Sequence, residues 1–189
     1  QNVPFIATSY KDGKSQLYDM KSSVDRNVLK KRCKDSKIRK VFHNASFDIT
    51  ALRTWGIKVK PPIDDTMIMA KLLNENLESK RLKPLAKMYL HEPCDEEKEL
   101  SKVKAKLKRE AKKAGKVFTY DMIPPKVLFP YAKKDPYYAV KLQKFFWKNI
   151  QRFWNIYQFE LDLVPIVSDM MFWGIRIDRE FVKKILHKY

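Results

Sequence analysis

Strand and helix signals alternate along the first part of this chain, and that alternation limits the possible folds more than any other feature. Two alternating strands near the amino end meet at an Asp12-Gly13 turn, as in a β-hairpin. A helix then begins after Ser22 or Ser23, and a short apolar strand lies near residues 38–43. This order of elements is typical of an α/β fold.

The next elements are predicted from capping residues and helical spacing. Asn44 or Ser46 caps a helix that runs to Trp55, with Gly56 as its stop. Further predictions are a strand at residues 57–59, a helix capped by Asp64 or Asp65, a short helix in LKPLAKMYL, an exposed charged segment at 95–116 that is either helical or mobile, and long helices after Pro124 and up to Gly174.

Charge points to the class of partner. Forty Lys and Arg residues against 22 Asp and Glu give a formal net charge of +18. Such an excess predicts a polyanionic partner, nucleic acid before membrane, and the alternative is a lysine-rich composition without a binding role.

No apolar run approaches the roughly 20 residues of a membrane span. Cys33 and Cys94 predict no disulfide framework, and His91 with Cys94 is too small a set for zinc.

Asp48 stands among apolar residues in VFHNASFDITAL, residues 41–52. A carboxylate in such surroundings is costly to desolvate. It therefore favours the first turn of a helix, a cationic partner, a solvated helix face or a bound metal ion. Spacing alone leaves these alternatives open.

Tyr131 and Asp135 in YAKKD form a second polar pair. Positions four apart share one face of a helix, so the phenol and the carboxylate can converge on one point. The alternative is an ordinary pair at the surface or the edge of the core. Pro136 follows directly and predicts that the helix kinks or restarts after Asp135.

Four stretches of the sequence together resemble a known protein family. In chain order they are VFHNASFDITAL, DDTMIMAKLLNEN, YAKKDPYYAVKLQ and YQFELDLVPIVSDMMFWGIRID. They look like the 3′-to-5′ proofreading exonuclease domain of family A DNA polymerases, of the bacterial DNA polymerase I type, running into the polymerase portion. The resemblance implies a ribonuclease-H-like α/β fold, a mixed central sheet flanked by helices. It places the exonuclease domain at residues 1–150 and a helical extension, the thumb-proximal start of the polymerase, at residues 151–189.

The resemblance also implies hydrolysis of DNA from its 3′ end with two bound Mg²⁺ or Mn²⁺ ions. Asp48 and Asp135 match the family's second and third motifs and would be catalytic metal ligands, and Tyr131 would orient the attacking water. Mg²⁺ prefers oxygen ligands, and a pair of ions can both activate water and stabilise the leaving oxygen. His43 is interpreted as a residue at the end of a strand and not as a ligand.

Substrate contacts are expected from Asn44, Phe47, Tyr137 and Tyr138. Asn44 would hold the substrate backbone or the surroundings of Asp48. Exposed rings at Tyr137 and Tyr138 would stack on bases, and the alternative for both is a place in the core. The expected partners are a single-stranded 3′ end of DNA and the rest of the polymerase polypeptide, with no membrane. The expected location is the cytoplasm, in the nucleoid or in a virus-infected cell, or an organelle.

One departure from the family pattern limits these expectations. The family's first motif, Asp-x-Glu on the first strand, has no counterpart near the amino end of these 189 residues. We therefore expect a fragment that lacks the central first strand and does not hydrolyse DNA alone, with unpaired backbone groups on the neighbouring strands. The alternatives are a catalytically inactive DNA-binding or structural module and, less favoured, an RNase-D-like 3′ exoribonuclease.

Overall fold

A computed structural model describes residues 6–186. Its first element is a hairpin of two antiparallel strands, β1 (Ile6–Lys11) and β2 (Lys14–Asp19), with Ile6 opposite Asp19. Asp12 and Gly13 have φ angles of 50° and 81°, the left-handed backbone that a two-residue hairpin turn needs. The predicted turn is confirmed, and the part of the predicted strand before Ile6 lies outside the described residues.

Two parallel strands form a second ladder, β3 (Lys40–Phe42) and β4 (Ile63–Asp65), with Val41 opposite Asp64. Helix α1 (Ser23–Lys34) precedes β3, and α2 (Ala45–Thr54) connects the two strands. Over residues 6–186 the two ladders are separate two-stranded sheets. The predicted α/β class is therefore confirmed, with little sheet and much helix.

The predicted strand at residues 57–59 is wrong. Ile57 is buried with Tyr18, Met20 and Leu29, so its apolar character reflects a place in the core. Its backbone N–H donates to the carbonyl of Leu52 and closes the end of α2, which leaves it unavailable for a ladder.

Further helices follow in the chain. Their bounds are α3 (Thr66–Leu73), α4 (Leu82–Leu90), α5 (Asp95–Lys113), α6 (Pro125–Ile150), α7 (Trp154–Trp173) and α8 (Arg179–Leu186). Helices α3, α4 and α5 pack against the longest of them, α6. Leu142, Phe146 and Ile150 recur every four residues along α6 and pack with Met69 and Leu85. None of the helices described is both long and apolar enough to cross a membrane.

Helix α6 continues through two prolines, Pro130 and Pro136. Of the predicted kink or restart after Asp135, the restart is therefore wrong, and the kink stays a prediction. Buried side chains on both sides of the prolines, Leu128 and Tyr138 among them, hold the helix against its neighbours despite the missing backbone bonds. Tyr131 and Asp135 consequently lie one helical turn apart on a single helix.

Helix α7 packs against α2. The Ser168 hydroxyl donates to the Ser46 carbonyl at 3.3 Å, and the Thr50 hydroxyl donates to the Ser168 carbonyl at 3.3 Å. Tyr157 and Leu161 of α7 join the main hydrophobic core. The predicted functional boundary at residue 151 stays a prediction, because the first half of α7 shares the core of the preceding helices.

Candidate active site

Asp65 fixes the start of the segment that carries Asp48. Its two carboxylate oxygens accept backbone N–H groups from Asn44 at 3.1 Å, Ala45 at 2.6 Å and Met67 at 2.8 Å. One buried carboxylate thus holds the first turns of both α2 and α3. Asn44 occupies the cap position of α2 with a φ of 70°, but its side chain makes no cap hydrogen bond. The predicted cap of α2 by Asn44 or Ser46 is therefore replaced by Asp65.

Asp64 does not cap a helix; of the two predicted caps, Asp65 is the one that does. The Asp64 side chain is fully buried and accepts hydrogen bonds from Arg39 at 3.0 Å, Gln143 at 3.1 Å and the Tyr157 hydroxyl at 3.1 Å. Asp64 therefore ties β4 to α6 and α7.

Asp48 lies in the first turn of α2, as predicted. Burial raises the pKa of its carboxyl from 3.8 to about 7, and the charges of Asp65 and Asp135 raise it further in the same direction. Within residues 6–186 no side chain or backbone group donates a hydrogen bond to this carboxyl. Asp48 and Asp135 are thus close enough for their charges to interact.

A cavity of about 480 Å³ lies between α4, α6 and the start of α2. Its lining includes His43, Asn44, Lys83, Glu97, Tyr131 and Asp135. The structure therefore brings Asn44, Tyr131 and Asp135 to one concave surface, although they are distant in the chain. Asp48 does not line this cavity.

Lys83 is the site residue absent from the sequence-based prediction. It is 3% exposed, and its Nζ lies 2.7 Å from Asp135 Oδ1 and 2.9 Å from Glu96 Oε1. The ammonium group also lies over the rings of Tyr131 and Tyr138, 4.5 Å and 4.4 Å from their centroids. Asp135 Oδ1 is buried, and no donor in the described part of the chain is aligned for a hydrogen bond to it. The contact with Lys83 is therefore an ion pair in poor hydrogen-bond alignment.

The two carboxylates that contact Lys83, Asp135 and Glu96, have pKa values shifted in opposite directions. Burial raises the pKa of Asp135, and the Lys83 ammonium only partly opposes that rise. Burial acts in the same direction on Glu96, but hydrogen bonds and the charge of Lys83 bring its pKa below the usual value. Burial, and then the charge of Asp135, raise the pKa of Tyr131, so its hydroxyl stays protonated at neutral pH.

Two signals in the sequence could have identified Lys83. It is the second residue of α4, where the positive end of the helix dipole disfavours a cation. It also shares a helix face with Ala86 and Leu90, so it falls on the buried stripe of that helix.

The model of the 3′–5′ exonuclease domain of family A DNA polymerases matches residues 6–151. The chain belongs to this family. It is 29% identical over 152 residues to DNA polymerase I of Chloroflexus aurantiacus, covering 77% of this chain and 15% of the relative. It is 32% identical over 190 residues to DNA polymerase DpoZ of Salmonella phage PMBT28, covering 96% of this chain and 29% of that one. The chain thus spans less than a third of the length of these relatives.

Solved structures share its fold. NrnC of Brucella melitensis bound to pGG has a TM-score of 0.64 and 18% identity, covering 89% of this chain and 76% of the other. The same protein with bound Mg²⁺ has a TM-score of 0.65 and 18% identity, covering 89% and 77%. The ribonuclease-H-like exonuclease fold and the family predicted from the sequence are confirmed.

The aromatic residues expected at the substrate differ in exposure. Phe47 is 60% exposed beside Asp48, whereas Tyr138 is fully buried and its hydroxyl donates to Glu96 at 3.0 Å. Tyr137 is half-buried, edge-on to Tyr10 at 5.3 Å. Of the two alternatives for Tyr138, the place in the core is confirmed, because α6 turns that ring towards α4 and α5. Phe47 is the most exposed of the three rings.

His43 follows β3 directly. Its two ring nitrogens contact the Thr66 hydroxyl and the Lys80 carbonyl, each at 2.9 Å. Burial lowers its pKa, so the ring is neutral at neutral pH. These contacts agree with its interpretation as a residue at the end of a strand, since both nitrogens are engaged.

The carboxylates of the exonuclease domain fit a divalent cation in donor type and charge. Asp48 and Asp135 offer hard oxygen ligands, and burial is the main cause of the raised pKa of both carboxyls. Over residues 6–186 no group of three or more His, Cys, Asp or Glu side chains forms a complete metal site. A cation bound at Asp48 or Asp135 would therefore need ligands from other groups as well.

Proposed function

We propose that this domain removes nucleotides from the 3′ end of single-stranded DNA, using two Mg²⁺ or Mn²⁺ ions held in part by Asp48 and Asp135. The observation that carries the proposal is the incompletely compensated carboxylate pair next to a cavity lined by Tyr131 and Asn44. When bound, the ions would activate a water molecule and stabilise the leaving 3′ oxygen.

The chain's own residues would orient the reactants. Tyr131 keeps its hydroxyl proton and would position the attacking water by a hydrogen bond. Lys83 would hold Asp135 in place through their ion pair. Asn44, whose side chain makes no cap hydrogen bond, lines the cavity where the terminal nucleotide would lie, and Phe47 would stack on a base.

We infer that the domain acts within a longer DNA polymerase polypeptide, with residues 1–150 as the exonuclease portion and 151–189 as the beginning of the polymerase portion. The polymerase names of its relatives support DNA over RNA as substrate. The location, a cytoplasmic nucleoid, a virus-infected cell or an organelle, stays a prediction.

A DNA-binding module without catalysis is the second candidate, favoured by the incomplete ligand set. Asp48→Asn in the polymerase polypeptide decides between the two. We expect loss of metal-dependent removal of the 3′ nucleotide with nucleotide addition retained, while Asp162→Asn on the exposed side of α7 changes neither. If the unsubstituted polypeptide removes no 3′ nucleotide, the function is that of a DNA-binding module without catalysis.

The 189-residue chain alone provides a second test. We expect it to hydrolyse no DNA detectably with Mg²⁺ or Mn²⁺, because Asp48 and Asp135 supply only part of the ligands. Hydrolysis by this chain that Asp48→Asn abolishes would show instead that the described residues suffice.

A further inference from the structure

Helix α5, Asp95–Lys113, has one apolar side and one cationic side. Leu100 is buried with Ile123 and Val127, and Val103 and Leu107 pack against the same cluster. This contact fixes the rotation of α5 about its own axis. The opposite side of the helix consequently faces outward.

Five cations follow that outward side. They are Lys98, Lys102, Lys106, Arg109 and Lys113, all exposed, and we call them the basic stripe. Their spacings of four, four, three and four residues keep them within about a quarter of the helix circumference. At about 1.5 Å per residue they extend over about 22 Å, with neighbouring cations roughly 5–6 Å apart along the axis.

Carboxylates neutralise only part of the basic stripe. Lys98 pairs with Asp95 at 2.9 Å, and Lys106 pairs with Glu110 at 3.9 Å. Among residues 6–186, no carboxylate lies within 4.0 Å of the cationic groups of the other three, Lys102, Arg109 and Lys113. Near the middle of the stripe the small side chain of Ala105 leaves space, and a shallow cavity of about 360 Å³ lies there. The stripe thus combines free positive charge with room for an anionic group.

The basic stripe begins next to the candidate active site. Glu97 of α5 lines the active-site cavity, and Glu96 pairs with Lys83, which also lines it. Lys98 is the next residue along the helix. A strand whose 3′ end enters the cavity therefore has α5 as an adjacent straight path for its upstream nucleotides.

We propose that the basic stripe binds the backbone phosphates of single-stranded DNA upstream of the 3′ nucleotide. This rests on the proposed function for the position of the 3′ end. A flexible single strand can place successive phosphates against a straight row of cations, whereas a rigid duplex curves its phosphates away from such a row. An anionic membrane fits less well, because a membrane-binding helix buries its apolar side in lipid and that side of α5 is packed in the protein.

The test uses one triple variant and one matched control. The stripe variant is Lys102→Gln, Arg109→Gln and Lys113→Gln. The control is Lys31→Gln, Lys34→Gln and Lys37→Gln, which removes three exposed cations in and after α1. Fluorescence anisotropy with EDTA present measures binding of thymidine oligonucleotides of 4 and 12 nucleotides over a range of salt concentrations.

We expect the unsubstituted chain to bind the 12-nucleotide strand more tightly than the 4-nucleotide strand. The affinity of the stripe variant for the 12-nucleotide strand should be about 10-fold lower, which removes most of that difference. The affinity of the control should change by less than about 2-fold. The slope of log affinity against log salt for the 12-nucleotide strand should fall by about 2, since each lost phosphate contact removes about 0.7.

Equal affinities of the stripe variant and the control for the 12-nucleotide strand would overturn the proposal. So would a larger loss for duplex DNA than for the single strand, or loss of binding to phosphatidylserine vesicles with oligonucleotide binding unchanged. If the triple variant misfolds, the two strand lengths are compared again with Arg109→Gln alone, whose fold is checked by circular dichroism. Removal of the 3′ nucleotide from the 4-nucleotide strand by the polymerase polypeptide tests the proposed function separately, because a strand that short does not extend along most of the stripe.

Discussion

Asp64 and Asp65 differ from Asp48 and Asp135 in one respect, the number of donors that reach their oxygens. Asp64 accepts three side-chain hydrogen bonds, and Asp65 accepts backbone N–H groups from two helix starts. Asp48 receives no hydrogen bond from residues 6–186, and Asp135 has only the poorly aligned Lys83. Satisfied carboxylates stabilise the fold, whereas unsatisfied ones remain available to a cation or a substrate.

The largest expected effect is at Asp64. Asp64→Ala leaves Arg39, Gln143 and the Tyr157 hydroxyl without their shared acceptor in the core. We expect the free energy of unfolding to fall by about 3–5 kcal/mol, measured by urea denaturation. Asp162→Ala on the exposed side of α7 is the control, with a change below about 0.5 kcal/mol. A small loss at Asp64 would remove the distinction between the two carboxylate pairs.

Lys83→Met should come next. It keeps the packing of the side chain and leaves Glu96 and Asp135 as neighbouring buried carboxylates without a cation. We expect a loss of about 3 kcal/mol at pH 8 and less at pH 5, because protonation relieves the repulsion at low pH. Lys87→Met, whose exposed ion pair with Glu97 spans 3.8 Å, should cost less than about 1 kcal/mol. Equal losses at both pH values would show that repulsion between Glu96 and Asp135 does not cause the loss.

Tyr131→Phe tests the site in the polymerase polypeptide. The ring keeps its packing and its contact with Lys83, while the hydroxyl is lost. We expect removal of the 3′ nucleotide to slow by about 10-fold to 10³-fold with little change in stability. Tyr137→Phe is the matched control, because it removes a hydroxyl bonded to Glu92 and keeps the ring that was expected at the substrate, so the rate should stay nearly unchanged. Similar rates for both variants would exclude a role for the Tyr131 hydroxyl.

The smallest expected effect is the pH dependence at Asp48. Its folded pKa of about 7 exceeds the ordinary 3.8, so the folded state retains a proton that the unfolded chain releases. Stability should therefore decrease as the pH rises from about 4 to 7. Asp48→Asn should remove that decrease and raise stability at pH 8 by about 2 kcal/mol, about half of what the full shift would supply, because the side chain is only partly buried. Urea denaturation in buffers without metal ions measures the change. An unchanged pH profile would show that Asp48 titrates normally.

Local signals predicted much of the fold. The Asp12-Gly13 turn, the α2 segment with Gly56 after it and the LKPLAKMYL helix depend on neighbouring residues, and all are present. The strand predicted at 57–59 was wrong because an apolar sequence shows that a side chain is buried but not where the backbone N–H goes.

The candidate site was predictable only in part. A family resemblance identified Asp48, Tyr131 and Asp135, and the cavity does contain the last two. The partnership of Lys83 with Glu96 and Asp135 joins three helices, so no local pattern shows it. The burial of Tyr138 depends on the rotation of α6, which aromatic residues on several of its sides leave undetermined.

The two prolines of α6 have a mechanical consequence. Proline has no N–H group, so the carbonyls of Lys126 and Ala132 receive no bond from positions 130 and 136. The turns on either side of Tyr131 therefore each have one backbone link fewer than the turns from Leu142 onward. The bending stiffness of this part of α6 comes from side-chain contacts, with Lys83 beneath the Tyr131 ring and bound to Asp135. A change in those contacts can bend this stretch of the helix while its far end keeps its place in the core.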